Sequence, residues 1–440
     1  MRFTAFLRSL PSRSSRALVV AALALPALGL WQLDGPQSTF DVKGPVAQQQ
    51  LDLFKVTFWV TLGLFIVVGG LLAYATWKFR AKSAAEERAA PPPQSHGNPM
   101  VELGITIGSI LCLVIIAVPT LKAIWYTEDV PADSKDVIKI TATGYQWWFK
   151  FEYAGQTAKT LDPFTHKEVD AALTTGNELV IPVGRPIHID LRTVDVIHSF
   201  WVPKLAGKVD MIPNRPNRMW FQADEPGYFF GQCAQYCGED HSIMRFRVIA
   251  LKAEDYEAWL ANQKAIARTL VPMADAPANA QPVTQVTLAK LDLTGRPSDH
   301  NPDNALSGDA TFNKNPFAAW QAKQAVPAPA TEDLALIAEG RRLFKDKTCI
   351  GCHTIRGQEG VGITGPELTH VGSRSTIAAG VLENTPQRMN DWITDPEHWK
   401  PGNKMYNGGY TDPATPNHDR KIFLSDANVR ALVAYLQSLK

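Results

Sequence analysis

The segment Gly231–Met244, GQCAQYCGEDHSIM, places Cys233, Cys237, His241 and Met244 at offsets of 0, 4, 8 and 11. Two thiolates, an imidazole and a thioether form a soft donor set that suits copper far better than calcium or magnesium. His198, near the end of an expected strand in DVIHSFWVP, adds a second imidazole. Two neighbouring cysteine sulfurs can bridge two metal ions, and a loop with a single cysteine cannot. A structural zinc or a disulfide is the plainer alternative; Met244 and the β-rich surroundings count against both. His188 is a different case. In PIHIDLR the apolar Ile187, Ile189 and Leu191 alternate with His188, Asp190 and Arg192, so His188 faces away from the core as a solvated strand histidine.

Around this loop, residues 133–251 run in short alternating stretches rich in β-branched and aromatic residues: VIKITATGYQWWFKFEY, ELVIPVGRPIHIDLRTVDVIHSFWVP and RMWFQADEPGYFFGQC. Pro and Gly mark the breaks, and the pattern predicts a small antiparallel sandwich or barrel. A helix is expected from about Glu254 to Ala267. Residues 268–330, rich in Ala, Pro, Asn and Asp, read as a linker with at most short ordered pieces. Helical periodicity returns in 332–440 with TEDLALIAEGRRLF, TPQRMNDWI and SDANVRALVAYLQSL, predicting an all-helical unit large enough to enclose a prosthetic group.

That unit carries Cys349-Ile350-Gly351-Cys352-His353, the Cys-x-x-Cys-His pattern of covalent haem c attachment. Two thiols on one helical turn can add to the haem vinyls, and the next side chain reaches the iron. A thioredoxin-like Cys-x-x-Cys would need a βαβ setting, which is missing here. The second axial ligand is expected at Met405, after the proline-glycine stretch KPGNK, with Met389 assigned to helix packing. Methionine ligation raises the haem potential, suiting it to accept from another cytochrome. His370, in GPELTHVGSR, reads as a packed or haem-edge histidine.

Toward the amino terminus, Arg2, Arg8, Arg13 and Arg16 precede ALVVAALALPALGL, so residues 1–30 read as a signal peptide, with a retained anchor as the alternative. Within 50–126 two uncharged runs follow, Val56–Trp77 and Leu103–Leu121, expected as spans over about 54–78 and 101–125. At 1.5 Å per residue each covers roughly 30 Å, the thickness of the hydrocarbon layer. The connecting loop holds Lys78, Arg80, Lys82 and Arg88 and then a triproline at 91–93, which puts the loop on the cytoplasmic side and the rest of the chain outside. Glu102 sits at the cytoplasmic mouth of the second run.

The totals agree with several domains. The chain has 440 residues, 45% hydrophobic and 20% charged, too many for one core and too apolar for disorder. Its 44 basic and 43 acidic side chains give no global electrostatic case for nucleic acid. Five cysteines (Cys112, Cys233, Cys237, Cys349, Cys352) are too few for a disulfide framework, and two close pairs suggest two redox sites.

Roughly residues 50–265 resemble the copper-bearing second subunit of haem-copper cytochrome c oxidases, and 332–440 resemble class I cytochromes c. Together they look like a caa3-type fusion: a multidomain membrane protein with a two-helix transmembrane hairpin, a cupredoxin-like all-β domain (133–265) and an all-α cytochrome c domain. The resemblance implies a binuclear copper centre, CuA, held by His198, Cys233, the backbone carbonyl of Gln235, Cys237, His241 and Met244. The family often has Glu at the position of Gln235, where its carboxylate helps hold magnesium; Gln cannot supply that charge, which leaves the magnesium site in doubt. In the cytochrome domain, Met405 is followed by Tyr406 where the familiar motif has proline. Trp147, in GYQWWFKFEY, matches the tryptophan through which electrons enter the family's copper domain, and Glu102 resembles the acid at the mouth of a proton path.

The resemblance further implies electron flow from a cytochrome c or reductase donor through haem c to CuA and on to the oxygen-reducing subunit I, with subunit III as a further partner. The site would lie on the periplasmic face of a bacterial inner membrane. No histidine falls within either apolar run, so the chain itself offers no oxygen-reducing site. Two alternatives stand beside this reading: the same module in a CuA-containing nitric oxide reductase, and a copper-delivery protein. His241 and Met244, so close to Cys237, and the haem motif count against the second.

Overall fold

The computed structural model describes residues 35–88, 90, 97–162, 165, 167–268, 315–327, 332–358, 362–405 and 424–440. The expected signal peptide, the triproline at 91–93 and most of the expected linker lie outside these residues.

Two long helices come first, α1 (Pro45–Lys78) and α2 (Pro99–Glu128), with mean hydropathies of 2.2 and 2.5 over their apolar stretches, none of it buried by the chain itself. Each starts on a proline at its first turn, where the missing N–H costs nothing, and Asn98 caps α2 through the Met100 amide. α1 starts nine residues before the expected 54. Hydropathy marks only the membrane-length part of a helix; the polar turns before it continue the helix and bury Val46, Ala47 and Leu51. Gly44 explains the tight approach there, since a Cβ would stand 2.1 Å from the Gln222 carbonyl oxygen. At the far end of α2, Trp220 Nε1 donates to the Tyr126 carbonyl (2.9 Å) and the two rings meet edge to face.

The next ten strands are β1 (Ile138–Tyr145), β2 (Trp148–Leu161), β3 (Glu168–Gly176), β4 (Glu178–Pro182), β5 (Ile187–Thr193), β6 (His198–Trp201), β7 (Lys208–Met211), β8 (Asn217–Phe221), β9 (Gly227–Cys233) and β10 (Arg245–Leu251). They form two five-stranded sheets, β3-β2-β1-β5-β8 and β4-β10-β9-β6-β7. The expected antiparallel arrangement needs one correction: β1 pairs with β5, and β4 with β10, in parallel. Side-chain alternation is the same in both kinds of ladder, so the sequence carries no sign of strand direction. Between the sheets lie Phe149, Phe151, Phe200 and Phe246, with Phe246 centred 4.6 Å from Phe200 and 4.8 Å from Phe149. Gly231 makes room for Phe246, whose ring a Cβ would approach to 2.3 Å.

Helix α3 (Ala253–Lys264) lays Tyr256, Trp259 and Leu260 on this core. Within the expected linker, α4 (Pro316–Lys323) is an eight-residue helix capped by Asn315, and its Trp320 is buried. The helical unit is built from α5 (Leu334–Asp346), α6 (Pro386–Thr394) and α7 (Asp426–Ser438), with side-chain N-caps at Asp333, Thr385 and Ser425.

The helical unit is docked on the sandwich. Glu178 of β4 is buried, and its carboxylate accepts from the Ser375 amide (2.6 Å), the Ser375 hydroxyl, the Thr376 amide and Trp320 Nε1 (3.1 Å). Arg247 of β10, fully buried, donates to the Gly380 carbonyl (2.9 Å), while the Arg245 amide donates to the Ala379 carbonyl. Glu178→Ala strands four donors at this contact, an expected loss of about 3 kcal/mol in docking. Amide exchange of Ser375 and Thr376 should then rise while that of the sandwich core does not; unchanged exchange would contradict the role given to Glu178.

Candidate redox centres

Three strand ends converge on the cysteine loop. β9 ends at Cys233, β6 begins at His198, and a single turn of 3-10 helix (His241–Ile243) returns the chain to β10. The loop is closed by backbone bonds from Cys233 N to Met244 O (2.9 Å) and from Ala234 N to Ser199 O (3.2 Å). Gly238 is at φ +118°, where a Cβ would also meet the Trp147 ring at 2.9 Å, so only glycine suits this corner.

The two sulfurs lie 3.8 Å apart, well beyond a disulfide bond. Around them stand His198 Nδ1, 3.9 Å from Cys233 Sγ, and His241 Nδ1, 3.7 Å from Cys237 Sγ. Met244 Sδ is 3.8 Å from Cys237 Sγ, and the Gln235 carbonyl is 3.2 Å from Cys233 Sγ. All six expected donors are therefore gathered in one place, and Gln235 brings its backbone oxygen while its side chain is exposed. Hydrogen-bonded to each other, the thiols lose only one proton readily: their coupling holds Cys233 down to about 3, while the ionisation of Cys237 is pushed far up. Such a set fits soft cations, which replace the remaining proton and the repulsion between two thiolates.

A supporting shell that the motif does not announce surrounds these donors. His198 Nε2 donates to Asp195 (2.8 Å), which leaves Nδ1 free to bind metal. Asp195 is itself held down to about 2, against the cost of burial, by His198 and by the Gln146 and Val196 amides. Trp147 Nε1 (3.0 Å) and Gln146 Nε2 (2.9 Å) both donate to the Cys237 carbonyl. Asp240 is buried beside His241 and, chiefly through that burial, raised to about 6. Asp195 stands three residues before His198, and an acid at that spacing is the one sequence signal that could have flagged it.

In the helical unit, Cys349–Gly351 forms a short 3-10 turn, with Cys349 half-buried and Cys352 exposed. Burial pushes the Cys349 thiol up to about 11. His353 Nδ1 donates to the Pro366 carbonyl (2.8 Å), and burial lowers its pKa, so the ring is neutral with Nε2 available to a metal. Gly365 gives the ring its space, since a Cβ there would come within 2.6 Å of it. The neutral, oriented imidazole next to two free thiols fits a covalently held haem. Met389 is 2% exposed and accepts from Gln437 Nε2 (3.6 Å), whereas Met405 is 47% exposed where the described chain stops before 406–423. His370 has both ring nitrogens at backbone carbonyls, of Lys440 and Ala265, in the contact between the two domains. Glu102 stands apart from both centres, in the exposed first turn of α2.

The fold and these two sites define a class: a membrane-anchored, cupredoxin-like β domain with a soft-metal centre, joined to a cytochrome c unit. Residues 138–251 match the family model of the cytochrome c oxidase subunit II periplasmic domain, and 337–440 match that of cytochrome c. The chain is 32% identical over 406 residues to cytochrome c oxidase subunit 2 of Alkalihalophilus pseudofirmus, covering 92% of this chain and 91% of that one. It is 26% identical to the Bacillus subtilis protein of the same name, with 92% of each covered. A solved periplasmic domain of cytochrome oxidase subunit II from Bradyrhizobium japonicum aligns at 30% identity over 31% of this chain and 96% of that one, with a TM-score of 0.24. The chain belongs to the cytochrome c oxidase subunit 2 family, fused to a cytochrome c domain, and is a subunit of a haem-copper oxidoreductase. The two matched domains imply copper and haem respectively, and the family implies a partner catalytic subunit.

Proposed function

We propose that this chain is the subunit through which electrons reach a terminal respiratory oxidase. When bound, haem c and CuA would supply one-electron chemistry, with a cytochrome c or a reductase complex as donor and the oxygen-reducing subunit I as acceptor. His198, Cys233, the Gln235 carbonyl, Cys237, His241 and Met244 hold the copper pair; Cys349 and Cys352 hold haem c, with His353 and Met405 on its iron. α1 and α2 form a two-pass hairpin beside subunits I and III, with both redox domains on the periplasmic face. Residues 1–30 are the signal peptide, and 268–330 link the domains.

The observation that carries this reading is the meeting of two free thiols at 3.8 Å with two imidazoles, a thioether and a carbonyl around them. Two thiolates held by the same metal pair would share the change in charge, so little would need to rearrange on reduction. Trp147 touches this centre through the Cys237 carbonyl, and Lys400, five residues before Met405, donates to the Trp147 carbonyl. Metal analysis and a visible to near-infrared spectrum of the purified full chain test the proposal. Two coppers and one covalent haem per chain are expected; zinc, or a single copper, would overturn it.

The choice of axial ligand has its own test. Met405→Leu should remove thioether ligation and lower the haem potential. Met389→Leu, nearly volume-conserving, should cost less than about 1.5 kcal/mol of stability and leave the haem spectrum alone. The reverse pattern would move the ligand to Met389.

A further inference from the structure

A turn of the haem-binding domain is built into the wall of the copper centre. Lys400, after the single helical turn Pro396–Trp399, is 3% exposed, although lysine is among the residues least often buried. Its Nζ donates to the Trp147 carbonyl (2.8 Å) and lies 3.7 Å from Asp240 Oδ2, a buried oxygen without a hydrogen bond of its own. The Trp147 indole in turn donates to the Cys237 carbonyl. Next to Lys400, Gly402 sits at φ +76°, where a Cβ would press on Glu239 and approach Trp147 to 3.5 Å. Trp399 shares an apolar cluster with Ile243, which lies between His241 and Met244. A cation from one domain is thus locked within two hydrogen bonds of a cysteine of the other.

We infer that Lys400 is a positioning residue of the copper centre: it clamps Trp147 against Cys237 and, as a buried cation, favours the centre's reduced state. The physical reason is simple. Gaining an electron lowers the centre's charge by one, so a fixed positive charge nearby stabilises the product of reduction more than the oxidised form. Because the cation arrives with the haem domain, the centre takes up electrons more readily when that domain is docked. Lys404 provides a contrast: it lies 3.7 Å from Asp195 but is 67% exposed, so water and salt screen it. This inference rests on the copper reading proposed above.

The test is a potentiometric titration of the near-infrared copper band in the assembled complex. Lys400→Met should shift the reduction equilibrium about tenfold toward the oxidised form, the order a unit charge gives across a protein interior. Lys400→Arg should restore most of the shift, and Lys404→Gln should stay within about twofold of the parent. Glu178→Ala, which opens the docking contact while leaving the lysine in place, should move the potential in the same direction as Lys400→Met. An unmoved potential in Lys400→Met with two coppers bound overturns the inference. So does an unmoved potential in Glu178→Ala when Ser375 and Thr376 exchange freely, a result that decides the matter even if Lys400→Met loses its metal. If the parent itself lacks the two coppers, the functional reading fails instead.

Discussion

Cys233→Ser should leave the protein folded but with at most one copper per chain and none of the absorption of a shared-valence pair. Serine is nearly isosteric with cysteine, and β9 and β10 keep their ladder from Gly227 to Gln232 without it. What changes is chemical: a hard hydroxyl replaces a soft thiolate at the one position from which His198, Gln235 and Cys237 can all be reached. A single remaining thiolate cannot bridge two ions by itself. Electron delivery to the catalytic subunit should fall by more than ~100-fold, since changes outside the ligand shell already reach that size. Cys237→Ser should behave alike. Met244→Leu should be milder, because the Met244 thioether stands beside Cys237 and its loss leaves both cysteine sulfurs in place. A Cys233→Ser protein with two coppers and an unchanged near-infrared band would refute the bridged arrangement.

Legibility in the sequence followed the range of the interaction. Four of the five side-chain donors expected for copper fall within twelve consecutive residues, and their softness marks them whatever the fold does around them. His198 could be separated from His188 because strand alternation is local: the burial of β5 alternates from Ile187, with His188 on the outer side. The haem motif was legible for the same reason. Asp240 and Lys400 were not. Each is an ordinary charged residue whose meaning comes from a partner brought near by the fold; Lys400 meets Trp147 across 253 positions. Helix α4 was hidden by its surroundings, one buried tryptophan in a polar stretch whose anchor, Glu178, is 142 residues away. Strand direction was invisible because period-two alternation is the same for parallel and antiparallel neighbours.

Gly340→Ala should strongly destabilise the haem-binding domain, although alanine is the better helix former by about 1 kcal/mol. Gly340 lies in α5 where α7 crosses it, and a Cβ there would sit 2.0 Å from the Ala431 carbonyl oxygen and 2.6 Å from Tyr435 Cβ. The first of these is backbone of a packed helix and cannot turn aside as a side-chain end would, so the two helices must separate. Ile337, Leu343, Phe344, Leu432 and Tyr435 lose their shared core, including the edge-to-face contact of Phe344 with Tyr435. The overpacking cost is expected to reach about 3 kcal/mol, a large part of what a domain of this size has in reserve. α5 ends three residues before Cys349, and the Leu439 carbonyl just after α7 accepts from Gly372, so the disturbance reaches the haem-attachment turn and the loop after it. Covalent haem per chain should therefore fall steeply while copper stays at the parent level, because the sandwich has a separate core. Haem staining and copper analysis of the same preparation measure both. A variant with full haem and a higher melting temperature, as an exposed helical glycine would give on replacement, would show that this crossing is not tight.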